Sequence, residues 1–369
     1  MLVIDAVRSA LASRAELLPS LHAEGTNCYR LFHGAVEGLP GCTLERFGDL
    51  LLWQTFREPP EEDATKLLQQ LRDAVEDETG VALTAVHWNA RGKRQQSAVG
   101  VAMPEPAQLP PSHFATELGL KYHIDVPAPG RDPNLYLDFR AARRWLHANS
   151  KGRTVLNTFS FTCGAGVAAL AGGATSVTNL DFSASALEIG RRNAQANNLP
   201  AESFDCLCGD ALPAMRMLAG LPVKQDRRQG RGGRGGGRAR GAGGRDGGGA
   251  PPLSAAAKPL KLRRKEHDIV VLDPPTWTTT KHGAVDLVRD YQSLFKPCVL
   301  ACRAGGTVLA VNHVHSVDVD EWVEKLERCA KKADKPLESV TILPPEVDFP
   351  SPDGKPPLKM AIARVADWN

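Results

Sequence analysis

The 369-residue sequence contains no apolar run approaching the roughly 20 residues that a helix needs to cross a bilayer. A membrane-spanning chain is therefore not expected. Its opening, MLVIDAVRSALASRAELLP, lacks the charged start, long apolar centre and small-residue cleavage site of a secretory signal. Secretion is not expected either, and the two early arginines among small residues leave a cytoplasmic or an organellar (plastid or mitochondrial) location open. Eight cysteines include two close pairs, Cys206 with Cys208 and Cys298 with Cys302, but neither is followed by a second pair or by a histidine at zinc-finger spacing. Reduced, mostly buried thiols are expected, and no metal site.

What is present suits two domains, since the length exceeds one typical core and a hydrophobic content of 42% can fill two. The formal net charge of +3 hides an asymmetry: the segment 223–266 holds 13 Lys and Arg against 3 Asp and Glu, a net of +10, which leaves the remainder at −7. That segment is rich in glycine and arginine and has no apolar periodicity, so it reads as a disordered loop. Its arginines could neutralise phosphates and stack on bases as a flexible RNA-contacting arm. It could equally be a tolerated surface insertion, because long loops cost little extra closure entropy.

From Arg153 onward, apolar runs of strand length alternate with helical patterns: RTVLNTF, TSVTNLD, SASALEIGRRNAQANN and SFDCLCGD. After the charged segment come HDIVVLD, a helix expected from about Ala284 to Cys302, the strand GTVLAVN, the helix VDEWVEKLERCAKKA, and two late strands in ESVTILP and KMAIARV. Such alternation predicts an α/β fold, a Rossmann-like doubly wound sheet of seven strands whose ligands bind beyond the carboxyl ends of the strands. Ser183 and Ser185 are available to cap the helix after Asp181, with Glu188 placed as in a capping box. Residues 1–113 read as a separate small α+β domain, and MPEPAQLPPS marks a linker before the second domain, 114–369.

The first strand of that second domain runs into FSFTCGAGVAAL, where Cys163, Gly164, Ala165 and Gly166 predict a tight turn before a helix. Gly164, Gly166 and Ala169 also fit the dinucleotide fingerprint of a dehydrogenase, so the turn alone does not decide the cofactor. Acids end the next strands: Asp181, then Asp210, then Asp273 in Asp273-Pro274-Pro275-Thr276-Trp277. Each could be a helix cap, but together they would line one crevice, Asp181 accepting from ribose hydroxyls and Asp210 from an adenine amino group. Two prolines cannot extend a central strand, so Pro274 and Pro275 predict an extended loop that holds Asp273 and Trp277 against a methyl donor, with the aromatic ring free to stack on an unpaired base.

These residues, with NLYLDFRAARRWL and RLFHGAVEGLPGCTLERFGDLLL, give a sequence that resembles the large-subunit ribosomal RNA methyltransferase I and K family over most of its length. The resemblance implies a seven-stranded methyltransferase sheet, S-adenosylmethionine as cofactor and methylation of a base in large-subunit ribosomal RNA. It also implies that Asp138 and Arg140 lie beside the cofactor, that Phe161, Cys163 and Gly164 form its turn, and that Asp181, Phe182, Asp210, Ala211 and Asp273 bind it.

Three departures stand out. The RNA-binding module at the front of some relatives is expected to be missing here, and the usual Gln after the Asp of the Leu-Asp-Gln-Arg stretch is Phe139. Relatives that make 5-methylcytosine carry a nucleophilic cysteine just after the fifth strand, where this sequence has Asn312 and His313. Cytosine C5 needs covalent activation, whereas a ring nitrogen such as guanine N7 needs mainly positioning, so nitrogen methylation is expected, with Asp273, Trp277 and Asn312 framing the base. His313 and His315 could orient a base or take a proton, although loop histidines are more often surface residues. The alternatives are a methyltransferase for a protein or small molecule, and an RNA-binding or ribosome-assembly factor with the fold but no turnover.

Overall fold

The computed structural model describes residues 3–56, 63–91, 108–110, 113–128, 131–223, 260–275, 277–280, 283–286 and 288–367, with the backbone alone described at 277–280 and 283–286. Most of the Arg/Gly segment, from Lys224 to Pro259, and most of the MPEPAQLPPS stretch lie outside those residues.

The front of the chain comprises helices α1 (Val3–Ser13) and α2 (Leu17–Ala23), strands β1 (Cys28–His33), β2 (Cys42–Phe47) and β3 (Leu50–Thr55), helix α3 (Ala64–Thr79) and strand β4 (Ala85–Ala90). The strands form one sheet in the order β1-β2-β3-β4, antiparallel except for the β3–β4 pair, which α3 connects. Asp63 caps α3 by accepting from the Lys66 N–H, and its Leu67, Leu71 and Val75 face the sheet's Leu31, Leu44 and Trp53 in one apolar cluster.

A short hairpin, β5 (Phe114–Glu117) with β6 (Leu120–His123), leads to a 3-10 turn at Leu137–Phe139 and helix α4 (Arg140–Asn149). Then come β7 (Thr154–Thr158), α5 (Gly164–Ala171), β8 (Ser176–Asp181), α6 (Ala184–Ala196), β9 (Phe204–Cys208), α7 (Ala211–Leu218) and β10 (His267–Leu272). The chain closes with β11 (Trp277–Thr280), β12 (Gly283–Asp286), α8 (Tyr291–Ala301), β13 (Cys302–Asn312), α9 (Val319–Lys332), β14 (Leu337–Leu343) and β15 (Lys359–Val365).

Seven strands make the main sheet, ordered β14-β15-β13-β10-β7-β8-β9, and β13, β10, β7, β8 and β9 are mutually parallel. The expected doubly wound sheet is therefore present, with order reversing on either side of β7. Its central strands read VVL and VLA because both faces are covered: Val155, Val177, Ile269 and Val271 face one apolar cluster, and Leu156, Leu180, Val270 and Leu272 the other. The first of those clusters also takes in Cys28, Phe47, Leu50 and Leu52, so the front sheet and the main sheet share a core.

Two local expectations are corrected. The helix expected from Ala284 begins only at Tyr291, because Gly283–Asp286 instead pairs antiparallel with the β-branched stretch Trp277–Thr280. Ser183, rather than Ser185, caps α6 through the Ala186 N–H, and Glu188 accepts from Arg191 instead of closing a capping box.

Candidate active site

Pairing register brings the acids expected at strand ends to one edge of the sheet. Thr158 of β7 sits opposite Leu180 of β8 and Leu272 of β10, so the next residues, Phe159, Asp181 and Asp273, stand at the same level, Asp181 as the last residue of β8. Asp210 follows β9 one strand further out, and Asn312 ends β13 on the other side. This is the carboxyl edge at the reversal of strand order, where α/β sheets bind ligands.

The turn after β7 has unusual backbone. Phe159, Phe161 and Cys163 all have positive φ, 55°, 47° and 61°, although none is glycine. Such conformations cost about 1–3 kcal/mol each and persist only where surroundings impose them. Here the Phe161 N–H donates to Asp181 Oδ2 at 2.8 Å, the Ser160 N–H to the Leu180 carbonyl at 3.1 Å and the Cys163 N–H to the Ser160 carbonyl at 2.7 Å. Thr162 Oγ1 donates to the Asn134 carbonyl, and Asn193 Nδ2 to the Thr162 carbonyl. The glycines serve packing rather than the bend: a Cβ on Gly166 would lie 2.1 Å from Asn179 Oδ1, and one on Gly190 2.4 Å from Cys163 Sγ.

Each acid already has a structural partner. Asp181 is buried and accepts from Phe161 and Ser183 N–H; burial pushes its carboxyl up while those bonds pull the other way. Asp210 caps α7 through the Leu212 N–H at 3.2 Å. Asp273 Oδ1 lies 2.6 Å from His313 Nε2. Burial raises the Asp138 carboxyl, with Arg30 and His313 opposing and the Asp273 charge adding to the rise, so Asp138, Asp273 and His313 form one electrostatic group. Burial disfavours the His313 cation, but Asp273, with Asp138 behind it, raises its pKa above the ordinary histidine value.

A family model for S-adenosylmethionine-dependent methyltransferases matches residues 29–212, a span that covers β1 through the start of α7 and includes the turn, Asp181 and Asp210. The chain belongs to this family. Among curated relatives, the ribosomal RNA large subunit methyltransferase I of Photobacterium profundum is 26% identical over 356 residues, 91% of this chain and 74% of that protein. That of Escherichia coli is 26% identical over 78% of this chain, which spans 61% of it. Among solved structures, SMU.776, assigned as a methyltransferase and solved with SAH, superposes with a TM-score of 0.71 at 18% identity, covering 98% of this chain and 80% of that one. The S-adenosylmethionine-dependent methyltransferase of Agrobacterium tumefaciens gives 0.55 at 15% identity, covering 89% and 88%.

The groups at this edge of the methyltransferase suit that cofactor. Two of them are carboxylates, Asp181 and Asp210, a group whose several lone pairs suit hydroxyl or amino donors, and Phe182 beside them presents a ring to solvent at 52% exposure. Gly164 opens α5 directly from the turn, and Ala211 opens α7 behind Asp210. Pro274 is buried and Pro275 exposed in the stretch after β10; Trp277 starts β11, and its side chain lies outside the described residues. Asn312 is fully buried, with Oδ1 accepting from the Val314 N–H and Nδ2 without a hydrogen-bond partner.

Arg140 is not brought to this edge. Its guanidinium is fully buried, donates to the Cys28 carbonyl at 2.9 Å and pairs with Asp348, tying β1 to the segment before β15. Its helix neighbours do similar work: Arg143 makes a two-pronged buried pair with Glu117, and Arg144 bridges Glu24 and Glu346. The arginines of FRAARRWL thus lock the hairpin and the front sheet to α4.

Sequence reasoning undervalued His313, which is half-buried on Asp273, whereas His315 is exposed with only a 3.8 Å contact to Asp353. Its one signal was position, immediately beyond a central strand. Tyr136, whose ring meets that of Phe161 at 5.3 Å, carried no such signal.

Proposed function

We propose that this methyltransferase methylates a base of large-subunit ribosomal RNA, at a ring nitrogen such as guanine N7 rather than at cytosine C5. The names of its curated relatives support the RNA class. The observation that carries the choice of atom is the pairing of His313 with Asp273 just beyond β13, where a C5 enzyme needs a thiolate. Among the described residues no cysteine stands in the stretches immediately after β10 (273–275) or β13 (313–318); Cys302 lies at the opposite end of β13, and the thiol of Cys163 is buried and pushed well above its usual range.

S-adenosylmethionine, when bound, supplies an electrophilic methyl group on a sulfonium. In our reading the left-handed turn Phe161–Cys163 with Gly164 bends around it, Asp181 holds the ribose diol, and Asp210 with Ala211 and Phe182 holds the adenine. Asp273, Pro274, Pro275, Trp277 and Asn312 frame the base. A ring nitrogen that takes a methyl group gains positive charge, and the Asp273 carboxylate, with Asp138 in the same electrostatic group, stabilises it without a proton being moved. His313 holds the Asp273 carboxylate in place. Catalysis then rests on proximity and orientation.

Residues 114–369 form the transferring domain in this reading and 1–113 assist recognition. The thirteen cations of 223–266 suit contact with phosphates. Mass spectrometry of ribosomal RNA nucleosides, before and after treatment of unmodified RNA with the purified protein and methyl donor, tests the proposal. One new 7-methylguanosine is expected. New 5-methylcytidine would reverse the choice of atom, and unaltered RNA would move the activity to another acceptor.

A further inference from the structure

A row of aromatic rings, two exposed and a third half-buried, runs from the front sheet to the cleft, and neighbouring contacts hold it in place. Phe56, just past β3, is 48% exposed, and the Arg91 guanidinium sits over its ring at 5.6 Å from the centroid. Arg91, just past β4, is itself fixed: its N–H donates to the Thr55 carbonyl at 2.8 Å and its guanidinium to Gln54 Oε1 and to Asp132. Asp132 in turn accepts from the Tyr136 hydroxyl at 2.8 Å. Tyr136 is 46% exposed, its carbonyl accepts from buried Arg143, and its ring lies 5.3 Å from that of Phe161. Phe161 is the strained turn residue whose N–H meets Asp181.

A single exposed aromatic is ordinary, but here two, Phe56 and Tyr136, are held in fixed orientation in line with half-buried Phe161. Asp132 neutralises Arg91, so this row is no magnet for phosphate; what it offers is planar faces, two phenyl rings, a phenol and a guanidinium. Flat faces held at fixed orientation and leading into a methyl-transfer cleft match the needs of unpaired nucleobases, which stack on aromatic and guanidinium planes without regard to sequence.

We propose that Phe56, Arg91, Tyr136 and Phe161 form a stacking track that carries an unpaired RNA strand across the front sheet into the cleft. The inference rests on the RNA reading above and adds that the RNA is single-stranded at the protein and which surface it crosses. Duplex RNA, its bases stacked on each other, gains nothing from such a track.

Fluorescence anisotropy with a labelled 12-nucleotide oligouridine and with a hairpin duplex of matched length tests it on the full-length protein. The wild type should prefer the single strand. Phe56→Ala and Tyr136→Ala should each weaken that binding by about 5- to 100-fold, as expected for the loss of one base stack, while the slope of log affinity against log salt stays unchanged because no phosphate contact is lost. Tyr136→Phe, which keeps the ring, should restore most of the affinity. SAH binding by Phe56→Ala, measured by calorimetry, should equal wild type and so report an intact fold. If both alanine variants bind oligouridine like wild type, or the wild type prefers the hairpin, the track is overturned while the RNA reading stands. If the wild type binds neither RNA, the RNA reading fails and the track with it.

Discussion

His313 Nε2 and Asp273 Oδ1 stand 2.6 Å apart, joining the residues just beyond two neighbouring parallel strands, β13 and β10. Lys359 opposes the His313 cation from β15, Asp138 favours it from the turn before α4, and Arg30 of β1 acts on Asp138 in turn. The bond fixes the direction of the carboxylate assigned to the reacting base. His313→Gln should lower kcat/KM by roughly 10- to 100-fold, the value of one charge-assisted hydrogen bond, and leave SAH affinity within about twofold. Equal loss of SAH affinity would place His313 in the cofactor site instead.

The same pair gives a pH dependence of stability. The folded pKa of His313 lies above its unfolded value of 6.5, so its stabilisation is fully present below that pH and fades as pH rises through the folded pKa. Urea unfolding of wild type and His313→Gln should therefore differ more at pH 6 than at pH 9. A constant difference would mean that folding leaves the imidazole pKa unchanged, and a smaller difference at pH 6 that the fold keeps it neutral.

Arg140 separates a structural from a cofactor role. Arg140→Met leaves the Asp348 carboxylate, itself buried, without its cation, and should destabilise the fold by about 3–5 kcal/mol. SAH affinity at a temperature where the variant is folded should match wild type. A selective loss of affinity with unchanged melting would return Arg140 to the cleft.

Gly190 lies on α6, yet its substitution should reach the cofactor turn. A methyl group there would meet Cys163 Sγ at 2.4 Å and Cys163 Cβ at 2.8 Å, so the turn must move. Gly190→Ala is expected to cost about 1–3 kcal/mol of stability and to weaken SAH binding at least tenfold. Gly190→Ala combined with Cys163→Ala, which removes the Sγ clash and leaves the close approach to Cβ, should recover part of both.

Asp181→Asn tests the two tasks of one side chain. The amide oxygen can replace only one of the two acceptors used by the Phe161 and Ser183 N–H groups. A stability loss of about 1–3 kcal/mol is expected from the stranded N–H, together with a larger proportional loss of SAH affinity. Unfolding curves and calorimetry on the same samples separate the two.

Alternating apolar runs and helical periods depend on neighbours in sequence, which is why the doubly wound sheet, the small front sheet and the acids at strand ends were legible from residues alone. Once RTVLNTF, TSVTNLD and HDIVVLD are parallel strands, register carries Asp181 and Asp273 to one level without further information. The sequence did not reveal which side chains those acids would meet. Asp138 acts on His313 across 175 positions, and Arg140 reaches Asp348 across 208, and no local pattern encodes either. Nor does FSFTCGAG announce that its phenylalanines and cysteine, rather than its glycines, take the left-handed backbone, since that strain is imposed by Asp181, Asn134 and Asn193 from elsewhere in the chain. Local composition decided the layers and the edge at which chemistry sits. Tertiary packing decided which groups share a charge or a ring face there, because hydrogen bonds and burial act over a few ångströms of space, whatever the distance along the chain.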